Sequence, residues 1–518
     1  MTARDPIRLV IVGGGTAGWL SALMIRKYAE ADRQPISVTV IDSSKIPTIG
    51  VGEGTTAVFR HMLRQLGLDE AEFVRETGAT IKLGIRHRDW KRVGHSYDGP
   101  IDDPNQVALA AHLSPSDQAS AIDIYAVSRG MPVGDTHLFG QLMARDKSPF
   151  AKKSDGSFVQ AGPFDHAYHF DQAKVGQFLR DKALGIERLD AQVENVERDP
   201  ENGTITALIL DEDRRIEGDF FVDCTGFRRK LIGEAMGAKW VSFADTLPVN
   251  RAMPFWLEHD PKTDIAPYTL AWAQKAGWMW AIPTQARVGC GYVYSDVFTT
   301  PEGAQAEIEA QLGRSIEPRN DLTFDPGRLD RSWIGNCLGL GLSSSFMEPL
   351  EATSIHGTVV QLMLFTQFHL ATCVTAKEKV RETFNAAVAR QIDDFNAFIN
   401  LHYAGEREEP FWVAARENSQ SDRTKDIIAK FARKMPTRID FKPFPGALPH
   451  IEEQLHYPVL DGLGLLDPKL AKAHLAERPQ VRAHARKTVS ALLKEYRQAA
   501  RACVGHQAYL AAIRQVAR

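Results

Sequence analysis

The chain has 518 residues, of which 44% are hydrophobic and 25% charged, a composition typical of a globular protein long enough for several domains. Its 62 basic and 65 acidic residues give a formal net charge of −3, which argues against a nucleic-acid binder held by bulk charge. Five widely spaced cysteines form no CxxC pair, which excludes a zinc ribbon and predicts a cytoplasmic protein without a disulfide framework. No run of 18 apolar residues occurs, so we predict no membrane partner.

A βαβ unit opens the chain. The apolar run 7–12 predicts a strand, residues 19–30 predict a helix, and residues 36–41 predict a second strand that ends at Asp42. The unit takes about 35 residues, which is typical of the start of a nucleotide-binding sheet.

Three glycines between the first strand and the helix, Gly13, Gly15 and Gly18, form a G-x-G-x-x-G pattern. In a dinucleotide-binding turn the first glycine makes the turn, the second lets the backbone approach a pyrophosphate, and the third lets helix pack on strand. The helix N-terminus then faces the phosphates, and Asp42 accepts hydrogen bonds from a ribose. Because no second such pattern follows, the sequence predicts one dinucleotide site. This favours a flavoprotein that has another source of electrons or that binds NAD(P)H only transiently.

The rest of the chain mixes strands and helices. Glycine-rich residues 43–60 predict backbone that approaches a ligand closely. The remaining pattern predicts, in order, a helical region at 57–77, loops and short helices at 91–160, a helix at 172–185, three strands within 188–222, an antiparallel sheet at 250–300, helices from 355 almost to the end, and an Arg- and Ala-rich helix over 477–518. We find no internal repeat and no low-complexity linker, so we expect the domains to interleave.

The segment Gly277–Pro283 contains W-x-W-x-I-P, with Trp278 and Trp280 on the same side of a predicted strand. This motif resembles the signature of flavin-dependent halogenases of the tryptophan halogenase type. Further segments resemble other motifs of that family, namely the opening Gly13–Trp19, the flavin-contacting segment Ile49–Thr55, the Y-H-F-D of Tyr168–Asp171, and the second flavin-binding stretch Gly341–Glu351. These matches cover most of residues 5–415 in order.

The resemblance implies an α/β fold: an FAD-binding Rossmann-like domain of the GR2/PHBH type, an interleaved antiparallel sheet and a mostly helical C-terminal substrate region. We predict an FAD-binding halogenase core over 1–375, with a Rossmann unit at 5–45 and a second sheet inserted at about 245–330. A helical substrate-side region is predicted over 376–518. Dimers are common among similar proteins, so a homodimer is the oligomer to test.

The resemblance also implies a reaction. A separate NAD(P)H-dependent flavin reductase, acting transiently, supplies reduced FAD, and O₂ and chloride or bromide then give hypohalous acid. The acid crosses an internal tunnel to a lysine, beside which a small electron-rich aromatic such as indole or a tryptophan derivative is halogenated by electrophilic substitution.

Two side chains match the catalytic pair of the family. Lys82 would hold the electrophilic halogen through a hydrogen bond or as a haloamine. Glu351, rather than the nearby Glu348, would stabilise the cationic arenium and accept its proton. Thr353 and Ser354 match the residues whose backbone N–H groups hold halide at a helix N-terminus.

The halide segment departs from the P-L-E-S-T-G pattern of the family at Ala352 and at Ser354. Both changes keep the backbone N–H groups. A side chain at Ser354 reshapes the halide pocket, which leaves the choice between chloride and bromide open.

The remaining assignments concern the cofactor and the substrate. Trp278 and Trp280 are expected between flavin and substrate, and the substrate-side candidates are His95, Tyr97 and Trp412. The FAD contacts implied by the motifs are Gly13, Gly15, Thr16, Ala17, Gly18, Asp42, Gly52, Glu53, Gly54, Val193, Leu342 and Ile355.

The lid that grips the amino acid in tryptophan-specific members is poorly matched by Leu455–Tyr457. An indole, another small arene, a peptide and a carrier-bound aromatic therefore fit as well as free tryptophan. No H-E-x-x-H occurs, and His166 and His169 lack an acidic partner of known type, so we predict no metal site.

Two other functions remain open from the sequence. One is an FAD-dependent aromatic monooxygenase on the same fold, which would reduce its own FAD with NAD(P)H. The other is an FAD-binding protein that has lost its chemistry. Lys82, Glu351 and the two tryptophans together favour the halogenase.

Overall fold

The N-terminal βαβ unit forms part of a six-stranded sheet. The structure is a computed structural model that describes residues 6–46, 52–108, 110 and 112–515. Neighbouring strands of this sheet all pair in parallel except the last two strands. The strand order is Glu187–Leu189, Ile36–Ile41, Ile7–Val12, Phe220–Asp223, Cys337–Gly339 and Trp333–Ile334. The strands predicted at 7–12 and 36–41 are confirmed, and the side chains of Leu9–Val12 are buried because the strand is central.

A seven-stranded, mostly antiparallel sheet forms the second layer. Its order is Leu322–Thr323, Arg251–Leu257, Val288–Tyr294, Gly277–Pro283, Thr269–Gln274, Gly84–Arg88 and Ser96–Pro100. The antiparallel sheet predicted at 250–300 is confirmed, but the sheet extends further than predicted. Gly84–Arg88 joins it in parallel with Thr269–Gln274, a pairing between residues 184 positions apart that no local pattern indicates.

Four three-stranded sheets contain the other strands found in the described ranges. They comprise Val193–Arg198, Ile205–Leu210 and Arg215–Glu217; Trp240–Ser242, Gly327–Leu329 and Ser345–Phe346; Cys503–Gly505, Lys147–Lys152 and Phe158–Gln160; and Gly52–Gly54, Ala167–Asp171 and Thr80–Lys82. The prediction of loops and short helices at 91–160 was wrong for the three strands of that region. Two of them pair with the strand just before them, and Lys147–Lys152 also pairs with the distant Cys503–Gly505. The region 188–222 holds more strands than the three predicted.

Helices fill the space around the sheets. The α-helices are Thr16–Ala31, Ala57–Gln65, Glu70–Thr77, Pro104–Val107, Pro115–Gln118, Ala121–Arg129, Leu138–Met143, Gln172–Lys182, Pro301–Leu312, Thr353–Phe368, Glu378–Leu401, Pro410–Asn418, Asp422–Phe431, Glu453–Gly462, Pro468–Ala476, Pro479–Ala502 and His506–Gln515. The helical region predicted at 57–77 consists of two helices, separated near Gly67, whose φ of 72° is left-handed. None of the helices in the described ranges has both the length and the apolar character needed to cross a bilayer.

The C-terminal helices pack on an earlier part of the chain. Pro468–Ala476 and Pro479–Ala502 both lie against helix Ala121–Arg129. The single helix predicted over 477–518 was wrong, because the strand Cys503–Gly505 interrupts it and pairs with Lys147–Lys152. The chain end is thereby tied to the N-terminal half, and the predicted boundary at 375 stays a prediction.

Candidate active site

The three glycines of the N-terminal turn meet three different surroundings. Gly13 has a φ of +113°, and a Cβ built on it would lie 2.2 Å from the carbonyl oxygen of Cys224. A Cβ on Gly18 would lie 1.8 Å from the carbonyl oxygen of Gly13, so helix and strand are in direct contact there. A Cβ on Gly15 would meet no described atom within 4 Å. The first and third glycines thus serve packing, while the second faces open space that a phosphate can enter.

The carboxylate of Asp42 lies beside the same turn. A Cβ on Gly14 would lie 1.9 Å from the Asp42 carboxyl carbon, which explains a glycine that the motif itself does not require. Arg188 Nη2 lies 3.1 Å from Asp42 Oδ2 and fixes that oxygen.

One continuous cleft runs from this turn to the start of helix Thr353–Phe368. Its two parts share three lining residues, Gln172, Phe227 and Leu342. The first part includes the predicted residues Gly13, Gly15, Thr16, Ala17, Asp42, Val193 and Leu342, and the second includes Gly52, Glu53, Gly54, Thr353, Ser354 and Ile355. An elongated cleft with an open phosphate turn at one end fits an FAD molecule. Residues 49–51 of the predicted flavin-contacting segment lie outside the described residues.

The buried carboxylate of Asp223 holds the loops around this cleft. Its Oδ2 accepts hydrogen bonds from the N–H groups of Leu231 (2.7 Å) and Ile232 (2.8 Å). Its Oδ1 accepts from the Thr225 hydroxyl at 2.7 Å and the Ser343 hydroxyl at 3.1 Å. The two glycine-containing loops on the cleft wall are therefore joined through one side chain.

Lys82 ends the strand Thr80–Lys82 and is 2% exposed. The strand pairs with Ala167–Asp171, which pairs on its other edge with Gly52–Gly54. The Y-H-F-D segment is thus the central strand that joins the lysine to the glycines of the cleft. Lys82 Nζ donates to the carbonyl oxygen of Thr55 at 3.0 Å, and burial lowers the pKa of Lys82 to about 8.

Glu351 lies in a left-handed turn, with a φ of 66°, directly before helix Thr353–Phe368. Its Oε1 is 3.2 Å from His87 Nε2 and 3.2 Å from His402 Nε2. Burial disfavours the carboxylate, but the imidazoles of His402 and His87 hold the pKa of Glu351 well below its usual range. The negative charge of Glu351 in turn favours the charged form of Lys82.

The N-terminus of helix Thr353–Phe368 faces the second part of the cleft. Ala352, Thr353 and Ser354 all line it. The buried Thr353 hydroxyl has no hydrogen-bond partner among the described residues. An unpaired donor beside free helical N–H groups fits a small anion.

An aromatic wall, formed by Trp280, Trp278 and Trp90, extends from the cleft towards His87, which contacts Glu351. Trp280 lines the cleft, and its ring centroid is 6.4 Å from that of Trp278. Trp278 lies 5.9 Å from Trp90, and Trp90 lies 5.9 Å from His87. This arrangement supports the prediction that the two tryptophans stand between flavin and substrate.

Glu348 anchors this wall. Its Oε2 accepts hydrogen bonds from Trp278 Nε1 at 2.5 Å and from the Tyr403 hydroxyl at 2.6 Å. Burial raises the pKa of Glu348 to about 7. Glu348 therefore orients the indole of Trp278, which agrees with the choice of Glu351 as the catalytic carboxylate.

The substrate-side candidates lie in different surroundings. Tyr97 stacks on His87 with centroids 4.6 Å apart, next to Glu351. His95 lies 6.3 Å from Tyr97, and its pKa is lowered by burial and by Lys91. Trp412 is buried between Trp90 and Tyr403, and its Nε1 donates to the carbonyl oxygen of Gln274 at 2.7 Å.

Sequence reasoning missed His87 and His402. Each reaches the site through a contact between distant segments, so no local spacing signals it. The stretch Asp223–Gly226, at the end of a strand, does give a local signal for a flavin-binding domain.

Comparisons with known proteins match this chain over most of its length. A family model described as tryptophan halogenase matches residues 8–456. Tryptophan 6-halogenase SttH from Streptomyces toxytricini is 32% identical over 96% of this chain and 98% of its own length. Tryptophan 7-halogenase RebH from Lentzea aerocolonigenes is 32% identical over 91% of this chain and 92% of its own.

Solved structures share the fold. BrvH, a flavin-dependent halogenase from Brevundimonas sp. BAL3, is 31% identical and superposes with a TM-score of 0.82 over 98% of this chain and 99% of its own. The structure of SttH gives a TM-score of 0.85 at 30% identity, over 98% of this chain and the whole of that one.

Proposed function

This chain belongs to the tryptophan halogenase family and is a flavin-dependent halogenase, and we propose that it brominates or chlorinates an electron-rich aromatic such as indole or a tryptophan derivative. Enzymes of this family use FAD and O₂ and work with a separate flavin reductase. The alternatives of a single-component monooxygenase and of an inactive FAD-binding protein are disfavoured by this membership. The observation that supports the proposal is the burial of Lys82 and Glu351 next to the cofactor cleft, with Lys82 Nζ bonded to the carbonyl oxygen of Thr55 and Glu351 directly before the cleft-lining Ala352.

Bound FAD in its reduced form supplies the two electrons with which O₂ and halide give hypohalous acid and water. The chain contributes the open phosphate turn at Gly15 and the cleft that continues to Gly52–Gly54. The helix N–H groups and the Thr353 hydroxyl would hold the halide at the far end of that cleft.

Lys82 would bind the hypohalous acid by a hydrogen bond from Nζ. With a pKa of about 8, the lysine is mostly an ammonium at pH 7 and can give a proton to the departing oxygen. As the carbon–halogen bond forms, the halogen–oxygen bond breaks and the oxygen leaves as water.

Glu351 would stabilise the cationic ring and take its proton, which restores aromaticity. A carboxylate with a depressed pKa remains ionised and is suited to balance a cation in a buried site. Lys82 has then lost one proton and Glu351 has gained one, so passage of that proton from Glu351 to Lys82 would restore both groups.

Trp278 and Trp280 would keep the arene away from the flavin, so that only a small oxidised halide passes between the two sites. Glu348 supports this barrier by fixing the Trp278 indole.

The test is an assay with FAD, NADH, a flavin reductase, O₂ and either bromide or chloride, with indole and tryptophan as substrates and detection by mass spectrometry. We expect a halogenated product that disappears in Lys82→Ala and persists in Lys153→Ala, whose lysine is exposed. Hydroxylated product without halogen, or NADH consumption by the chain alone, would contradict the proposal.

A further inference from the structure

Two histidines and one glutamate meet at a single point of the active site. His87 comes from strand Gly84–Arg88, His402 follows helix Glu378–Leu401, and Glu351 precedes helix Thr353–Phe368. The two imidazoles are fully buried and the carboxylate is 16% exposed. Their ligand-type atoms all lie within 4.8 Å of one another.

The hydrogen bonds of His402 determine which nitrogen carries its proton. Its Nδ1 lies 2.9 Å from the carbonyl oxygen of Phe398, and only an N–H can bond to that acceptor. In the neutral ring, Nε2 then carries no proton, and its lone pair faces the Glu351 carboxylate at 3.2 Å. Two acceptors at this distance need a cation between them, either a second proton or a metal ion.

His87 adds a third donor atom. Neither of its ring nitrogens makes an aligned hydrogen bond within the described part of the chain, although Nε2 is 3.2 Å from Glu351 Oε1. Tyr97, stacked on the ring at 4.6 Å, holds it in place. A buried polar group normally has a hydrogen-bond partner. This imidazole has none and faces a carboxylate, so its Nε2 is free to bind a cation.

The distances match a metal centre. Zinc binds histidine nitrogen at about 2.0–2.1 Å and carboxylate oxygen at about 2.0–2.2 Å, so neighbouring ligand atoms at roughly tetrahedral to right angles lie about 3.0–3.4 Å apart. Both nitrogen–oxygen distances, at 3.2 Å, fall in this range. The Phe398 carbonyl fixes the orientation of His402, as outer hydrogen bonds do at metal sites.

We propose that His87, His402 and Glu351 form a binding site for a divalent transition-metal ion, and that an ion bound there blocks halogenation. Imidazole and carboxylate donors select Zn²⁺, Cu²⁺ or Ni²⁺ over Mg²⁺ and Ca²⁺. The binding stands on the geometry alone, whereas the inhibition rests on the proposed role of Glu351. The sequence predicts no metal site here, because the three residues are separated by 264 and 51 positions and form no metal motif.

The binding half is tested by titrating the purified protein with Zn²⁺ against a chromophoric chelator, with Co²⁺ as a visible spectroscopic probe. We expect one tight site that weakens at least about tenfold in His402→Gln and in His87→Gln, because each variant removes a direct ligand. The control is His61→Gln, whose exposed histidine lies on helix Ala57–Gln65. Equal zinc affinity in the wild type and both site variants, or equal binding of Mg²⁺, would overturn the site.

The inhibitory half is tested in the halogenation assay. We expect Zn²⁺ to reduce product formation at least tenfold and EDTA to restore it, while NADH oxidation by the reductase continues. Zinc that binds at the site without slowing halogenation would overturn the inhibition. If no arene is halogenated without zinc, the proposed function fails, and the chelator titration still decides the metal site.

Discussion

Lys82 is a basic side chain in surroundings that penalise its charge. Its pKa falls from 10.5 to about 8 because burial outweighs the attraction of Glu351. A shift of this size corresponds to about 3 kcal/mol of destabilisation in the charged state. Such a cost is common for groups kept for chemistry rather than for stability.

We therefore expect Lys82→Met to abolish halogenation and to raise the free energy of unfolding at pH 7 by about 2 kcal/mol, after the loss of the Thr55 hydrogen bond. The folded pKa is the lower one, so the penalty is complete below about pH 8 and disappears towards pH 10.5. Urea denaturation between pH 7 and 10.5 measures it, with Lys153→Met as the exposed control. A less stable variant at pH 7 would contradict the burial argument.

Glu348 makes the free energy of unfolding depend on pH in the opposite direction from Lys82. Its folded pKa of about 7 lies above the usual 4.5, so stability falls by up to about 3 kcal/mol as pH rises from 4.5 through 7. In Glu348→Gln the amide oxygen can still accept from Trp278 and Tyr403, and this fall should disappear. Unfolding free energies at pH 5 and pH 8 measure the difference, with the exposed Glu317→Gln as the control. The same fall in both variants would exclude Glu348 as its source.

At the scale of elements, the glycine turn separates folding from cofactor binding. Gly15 has a φ of −72° and open space beyond its Cα, so alanine fits the fold but intrudes where a pyrophosphate would lie. Gly18 has no such space.

We expect Gly15→Ala to weaken FAD binding at least about tenfold with little change in the thermal unfolding of the FAD-free protein, since only the open side of the turn changes. Gly18→Ala should instead destabilise that protein by about 1–3 kcal/mol or more, because helix and strand must move apart. Flavin fluorescence titration and thermal denaturation measure the two effects. Unchanged FAD affinity in Gly15→Ala would mean that the cofactor does not approach this turn.

At the scale of the whole molecule, the last helix supports the strand that carries Lys82. His506 Nδ1 donates to the carbonyl oxygen of Ile265, and Nε2 accepts the N–H of Ile81 at 3.0 Å. Burial lowers the pKa of His506 to about 4, so the ring stays neutral and able to accept at physiological pH. Ile81 directly precedes Lys82. His506, 425 positions further along the chain, therefore fixes the backbone next to the lysine.

We expect His506→Ala to lower kcat for halogenation and to cost about 1–3 kcal/mol of stability, because the buried N–H of Ile81 loses its acceptor. Its neighbour Gln507 has an exposed side chain, and Gln507→Ala is the matched control. Steady-state kinetics and urea denaturation of both variants measure the difference. A kcat equal to that of the wild type would show that the strand holds its position without the helix.

The sequence predicted the parts of this molecule that are encoded locally. The βαβ unit, the glycine turn and the antiparallel strands around Trp278 follow from periodicity and glycine spacing, and the family resemblance supplied Lys82 and Glu351. The strand Cys503–Gly505, the pairing of Gly84–Arg88 with Thr269–Gln274 and the meeting of His87 with His402 depend on partners far along the chain. Pairing of that kind is decided by packing of the whole chain, which no window of sequence contains.

The contact between His506 and the Lys82 strand also bears on synthesis. A ribosome makes the lysine early, yet the acceptor that fixes its strand emerges more than 400 residues later. A nascent chain, or one interrupted before residue 506, can hold the dinucleotide turn and still lack a fixed lysine. The positioning of Lys82 is therefore completed only after residue 506 has been made, long after the dinucleotide turn.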